Sequence, residues 1–122
     1  MTLRELYQNI GADYDQALRV LRVEKLVDKH IRKFVNNGVV SQLLEAGAQM
    51  ESARMFEAAH AAKGVCGNLG LTALSDMASQ LAEEYRPGNA RHMSDEDVKA
   101  VLQRIETVHD AMAEGIRQYI EG

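Results

Sequence analysis

At 122 residues the chain is long enough for one domain with a real core, and 46% hydrophobic with 26% charged residues is ordinary for a globular protein. A formal net charge of −4 without a basic run argues against a nucleic-acid binder. A lone cysteine excludes an internal disulfide framework and fits a reducing compartment, and no apolar stretch reads as a signal peptide or approaches the ~20 residues that span a bilayer. The expectation is a single cytoplasmic domain over residues 1–122, acting as a monomer.

Proline occurs once, β-branched alternation is nowhere sustained, and apolar residues recur at spacings of three and four, so helix is expected throughout. A short helix runs from Leu3 to Asn9 and stops at Gly11. A second begins at Asp13, an N-cap, and buries Tyr14, Ala17, Leu18 and Leu21. The apolar phase then slips between Leu21 and Val23, which predicts a kink or break before Leu26, Val27, Ile31, Phe34 and Val35 resume it. Asn36-Asn37-Gly38 reads as a turn, followed by a short helix from Val39 to Ala46 that points Val40, Leu43 and Leu44 inward and ends at Gly47.

A longer helix is predicted from Glu51 to Asn68, with Leu69-Gly70 leading into the next element. There Leu74, Met77, Ala78, Leu81, Ala82 and Tyr85 make the cleanest amphipathic stripe in the chain, and Arg86-Pro87-Gly88-Asn89 stops it. Ser94 reads as an N-cap, with Asp95, Glu96 and Asp97 in a first turn where the helix dipole favours acids. The last helix carries Val98, Val101, Leu102, Ile105, Val108, Met112, Ile116, Tyr119 and Ile120. Short turns between such helices predict an all-α fold: an antiparallel four-helix bundle formed near 23–35, 51–68, 72–86 and 94–120, with additional short N-terminal helices. The methionines read as dispersed core filler, Cys66 as a small hydrophobe on the flank of a buried face, and Glu83-Glu84 as solvated surface.

Residues 60–70 read His-Ala-Ala-Lys-Gly-Val-Cys-Gly-Asn-Leu-Gly. At 100° per residue His60, Lys63, Gly64 and Gly67 share one stripe, and Met55, Ala58, Ala62, Val65 and Leu69 the opposite, buried one. A glycine inside a helix costs about 1 kcal/mol relative to alanine, so two beside a histidine call for a reason. Removing bulk leaves His60 on bare backbone where a macromolecule can approach closely, and Lys63 adds fixed positive charge one turn along. An isolated surface histidine ordinarily has no such company. Imidazole is a neutral nucleophile near pH 7 and a competent leaving group, which suits a carrier of a phosphoryl group. Phe56 lies one turn before His60 on nearly the same face and can pack under the imidazole; Phe56, Glu57, Gly67 and Asn68 border the face a partner would meet. No phosphate-cradling glycine loop, Walker lysine or Mg²⁺-binding acid cluster is present, and His30, His92 and His109 lack partners at metal-ligand spacing, so no ATP site and no metal or other cofactor of the chain's own is expected.

His60, Lys63, Gly64, Asn68, Leu69 and Gly70 form the pattern His-x-x-Lys-Gly followed by Leu-Gly, and this resembles the histidine phosphotransfer (HPt) domains of two-component phosphorelays. Phe34, Leu43, Leu44, Leu74, Leu81 and Tyr85 extend the similarity over nearly the whole chain, most specifically from Leu43 to Leu81. The departure is Ala61-Ala62 where members often carry Thr-Leu. The resemblance implies a phosphoryl carrier, not an ATP-using enzyme, with His60 as acceptor and Lys63 stabilising phosphoryl charge. It implies response-regulator receiver domains or a hybrid histidine kinase as partners, with neither nucleic acid nor membrane, and Mg²⁺ together with the acceptor aspartate on the receiver. A helical adaptor that has lost phosphotransfer is the alternative, disfavoured because that role would not require His60, Lys63 and Gly64 together. The Met1 start and absence of attached domains favour a freestanding protein.

Overall fold

Seven α-helices and no strand make up the computed structural model, which describes all 122 residues: α1 (Leu3–Asn9), α2 (Tyr14–Leu21), α3 (Glu24–Phe34), α4 (Val39–Gln49), α5 (Ser52–Asn68), α6 (Thr72–Glu84) and α7 (Asp95–Glu121). Local chemistry sets most boundaries. Thr2 and Glu5 close a capping box, with Glu5 N donating to Thr2 Oγ1 at 3.1 Å and Thr2 N to Glu5 Oε1 at 2.8 Å. Asp13 accepts from Gln16 N at 3.0 Å and Ser94 from Asp97 N at 3.0 Å, satisfying first-turn amides that would otherwise lack partners. The break between α2 and α3 falls at Arg22, held at φ 77°, where no helix can continue. It resets the apolar phase: Val27, Ile31 and Phe34 become the buried stripe of α3, while Leu26 turns out to 38% exposure instead of joining it.

α4 runs past the expected stop at Gly47 and ends at Gln49, with Met50 left-handed at φ 55°. Gly47 is a contact and not a terminator. A side chain there would run into Leu102 of α7, so the glycine admits that leucine to the helix surface. Leu18, Leu21, Val35, Leu44, Met77, Val108 and Tyr119 are half-buried, and Ile120, in the last turn of α7, is exposed.

α5, α6 and α7 form three sides of the antiparallel bundle, and α4 closes the ring by packing on both α5 and α7. The fourth side is therefore longer than the predicted 23–35 segment. Going up α3 and α4, the contacts go down α7: Tyr119 donates to Asp28 at 2.5 Å, the His109 ring lies 5.7 Å from Phe34, and Leu102 meets Gly47. Two short helices laid end to end thus match one helix of 27 residues, about 40 Å long at 1.5 Å per residue. Leu6, Ile31, Leu43, Met55, Leu74, Leu81, Ile105 and Ile116 fill the interior. Each such side chain contributes about 1.5–3 kcal/mol by leaving water.

Glu84 is not solvated surface. It is 6% exposed, and its Oε2 accepts from the backbone amides of His92 at 2.7 Å and Met93 at 2.8 Å, with Arg91 Nε at 3.5 Å. The Arg91 guanidinium lies 4.7 Å over the Tyr85 ring. One carboxylate thereby fastens the connection from α6 to α7, and the amide of Met93 foremost holds it below the usual carboxylate range. Its neighbour Glu83 does face water, pairing with Arg86 at 2.9 Å.

Candidate functional site

The site is built on α5, and the end of that helix explains the Leu-Gly pair. Leu71 N donates to Cys66 O at 2.9 Å and Gly70 N to Gly67 O at 3.2 Å, a Schellman closure with Gly70 left-handed at φ +72°. The backbone of Asp13 then comes in so close that a side chain on Gly70 would collide with the Asp13 carbonyl, and Asp13 N donates to Gly70 O at 2.8 Å. Tyr7 adds a buried hydrogen bond from its hydroxyl to Leu69 O at 2.6 Å, across 62 residues of sequence. Both N-terminal helices are tied to the last turn of α5.

Met55, Ala59, Ala62 and Cys66 are the buried residues of α5, with Leu69 following. The expected stripe held Ala58 and Val65 in place of Ala59 and Cys66; Ala58 and Val65 are half-buried, Ala58 lining a cleft beside α4 and Val65 one beside α3. The buried face turns toward α6 because small residues at 59, 62 and 66 let that helix close in. Cys66 is wholly inside, where burial pushes its thiol up to about 12 and keeps it neutral.

The opposite face carries the predicted site residues. His60 is exposed near the middle of α5, and Lys63, Gly64, Glu57, Ala61 and Asn68 are exposed around it. The two glycines of the stripe differ. No other element lies within 4 Å of where a side chain on Gly64 would begin. Gly67 is half-buried, and a Cβ there would stand 3.2 Å from Ser75 Oγ, which itself donates to the Lys63 carbonyl at 3.2 Å. So Gly64 is open and Gly67 belongs largely to the packing of α5 on α6. The Phe56 ring lies nearly parallel to the His60 imidazole, with centroids 5.7 Å apart and planes 20° apart.

The flanks of this face carry opposite charge. α3 presents Lys25, Lys29, Arg32 and Lys33 against Glu24 and Asp28, and Asp28 is engaged by Arg32 at 3.0 Å. α6 exposes Asp76 and Glu83 and has no cation, Glu84 being buried against the connection to α7. Between α3 and the end of α5 lies an open cleft of about 400 Å³, lined by His30 and Lys33 above an apolar floor that includes Phe34 and Val65, with Asn68 at its edge. His92 is exposed far along the chain, and His109 packs on Phe34. Neither joins His60.

Such a surface gives an exposed imidazole free approach on one side, a cation one turn along and an aromatic ring beneath. Tyr7 and Ser75, which help hold this helix in place, are residues that sequence reasoning missed, and Asp13 reads in sequence only as an N-cap and not for its tie to Gly70; each acts through a partner outside its own helix, and no local spacing marks that contact. No helix is long and apolar enough to cross a membrane. No curated protein and no solved structure matches the chain. A family model described as Hpt domain matches residues 3–115. With that match running from α1 into α7, over most of the sequence, the chain belongs to the Hpt domain family, the phosphotransfer carriers of phosphorelays.

Proposed function

We propose that the protein takes a phosphoryl group onto His60 from the aspartyl phosphate of one receiver domain and gives it to the aspartate of another. The observation that carries this reading is the open strip at His60: an exposed imidazole with no other element within 4 Å of the Gly64 side-chain position, so a second protein can bring its phosphoryl group to bonding distance. In the forward step the lone pair of a ring nitrogen forms a bond to phosphorus while the bond from phosphorus to the aspartyl oxygen breaks, leaving the carboxylate. Donation runs the same step backwards on the next receiver. Charge spreads over three equatorial oxygens in the transition state, so position and positive charge govern the rate. Lys63 supplies charge from this side, and the receiver supplies Mg²⁺ with its aspartate.

Glu57, Asn68 and the basic flank of α3 are the docking contacts in this reading. A receiver's phosphoacceptor site is built of carboxylates, which the cations of α3 attract and the anionic α6 repels. A hybrid histidine kinase carrying such a receiver is the upstream donor. The test is to incubate the full chain with a phosphorylated receiver and follow label. Acid-labile, base-stable label on the wild type and none on His60→Gln is the expected result. Label on His60→Gln would place the acceptor elsewhere, and no label on the wild type would leave the adaptor reading.

A further inference from the structure

Phe56 is held from below and free above. It is half-buried and packs on the core, while its ring lies along the exposed imidazole one turn further on. The geometry, centroids 5.7 Å apart and planes 20° apart, is an offset stack. His109 has Asp110 beside its Nδ1 at 3.4 Å, whereas His60 has this aromatic face. The difference matters for a nucleophile. A carboxylate partner would fix one ring nitrogen by hydrogen bonding; a phenyl face fixes the plane of the ring and leaves both nitrogens unencumbered.

We infer that Phe56 is a positioning residue for the transfer reaction, holding the imidazole plane against rotation and stabilising the positive charge that the ring gains as its nitrogen bonds to phosphorus. The inference rests on the reading of His60 as the acceptor. Two physical effects act together. Stacking removes the other rotamers of a solvent-exposed side chain, so more of the population is aligned when the partner arrives. The negative face of the phenyl ring attracts the cationic imidazole of the transition state, a contact worth roughly a two- to fivefold rate factor at an exposed site. Balance is unaffected, because Phe56 exchanges neither proton nor electron. This role differs from a docking contact, which would act on the affinity for the receiver and leave the bound rate alone.

The experiment compares wild type with Phe56→Leu, Phe56→Met and Phe56→Tyr, all in the full chain. Transfer from a phosphorylated receiver is measured in single turnover across receiver concentrations, and the His60 ring protons are followed by NMR. The leucine and methionine variants fill the half-buried site, and melting temperature identifies the better folded of the two. In that variant the maximal rate should fall roughly two- to fivefold. The receiver concentration for half-maximal rate should stay unchanged, and the ring-current displacement of the His60 protons should vanish. Phe56→Tyr should restore the rate and the ring shifts. A raised half-maximal concentration with an unchanged maximal rate would overturn the proposal in favour of a partner contact. Unchanged kinetics and unchanged ring shifts would overturn it outright. His60→Gln run in parallel separates the two levels: label on that variant refutes the acceptor assignment, while the ring shifts report on the stack whatever the acceptor is.

Discussion

Gly64 and Gly70 lie on one helix and its exit, and their surroundings are opposite. Around Gly64, beyond its neighbours in the chain and the helix's own backbone, there is no atom within 4 Å of the side-chain position. At Gly70 the backbone is left-handed, φ +72°, and the Asp13 carbonyl occupies the space a side chain would need. The difference teaches that the two halves of the His60–Gly70 segment differ in their surroundings. One is bare; the other is bolted to α1 and α2 through Tyr7 and Asp13. Gly67 between them is a seam glycine against Ser75.

Substituting alanine for each glycine should separate the halves by sign. Gly70→Ala forces an L-residue into the left-handed region and drives its methyl into the Asp13 carbonyl, a cost of roughly 2–5 kcal/mol. Urea denaturation should show a midpoint lowered accordingly or an unfolded protein. Gly64→Ala should leave stability unchanged or raise it by up to about 1 kcal/mol, since glycine is the poorer helix former. Wild-type stability in Gly70→Ala would break the comparison at its root.

The bare half is tested by Gly64→Leu. Its side chain enters open space, so the melting temperature should hold. It stands beside His60, however, where a displacement of about 1 Å can cost on the order of a hundredfold in rate. Transfer from a phosphorylated receiver, measured by rapid quench, should slow by up to that factor. Unchanged kinetics would mean that the bare strip is not where the partner sits.

Sequence legibility follows the same division. The exposed face of α5 could be read from helical phase and residue type, because an open surface is described by one helix alone. The caps at Thr2, Asp13 and Ser94, the break at Arg22 and the amphipathic stripe of α6 are equally local. What was not legible depends on two distant segments at once. Gly47 looks like a helix stop until Leu102 is placed against it, and Glu84 looks like solvated surface until the amides of His92 and Met93 reach it. The pairing of α3 and α4 as one side of the bundle is likewise visible only along α7.

The bolted half yields a third, smaller effect through Tyr7→Phe. This removes the hydroxyl that donates to Leu69 O at 2.6 Å and leaves a buried carbonyl without that partner, at about 1–3 kcal/mol. Burial pushes the Tyr7 phenol above its usual range, so it remains a donor at any ordinary pH. Urea midpoints should fall while the transfer rate of the folded protein stays near wild type, because His60 lies more than two turns away. A parallel loss of transfer would show that the exit of α5 and its bare face move as one.

Glu84 extends the contrast to the other end of α6 and should give the smallest effect, one that fades in acid. Its folded-state carboxyl is held below the ordinary glutamate value of about 4.5, by the Met93 amide first and then by His92 and Arg91. A group depressed on folding contributes stability that is complete above its unfolded pKa and is lost as pH falls through the folded one. The loss therefore begins near pH 4.5 and grows below it. Above that range the carboxylate fastens the connection that Arg91, His92 and Met93 belong to. Glu84→Gln keeps one oxygen to accept from the two amides but has no charge to strengthen those bonds or to lose. Its urea midpoint should lie below wild type at pH 7, and the gap should narrow as pH drops below about 4.5. Glu83→Gln, on the exposed neighbour, should track wild type throughout. If Glu84→Gln and Glu83→Gln show the same pH profile, the buried carboxylate is not the fastening.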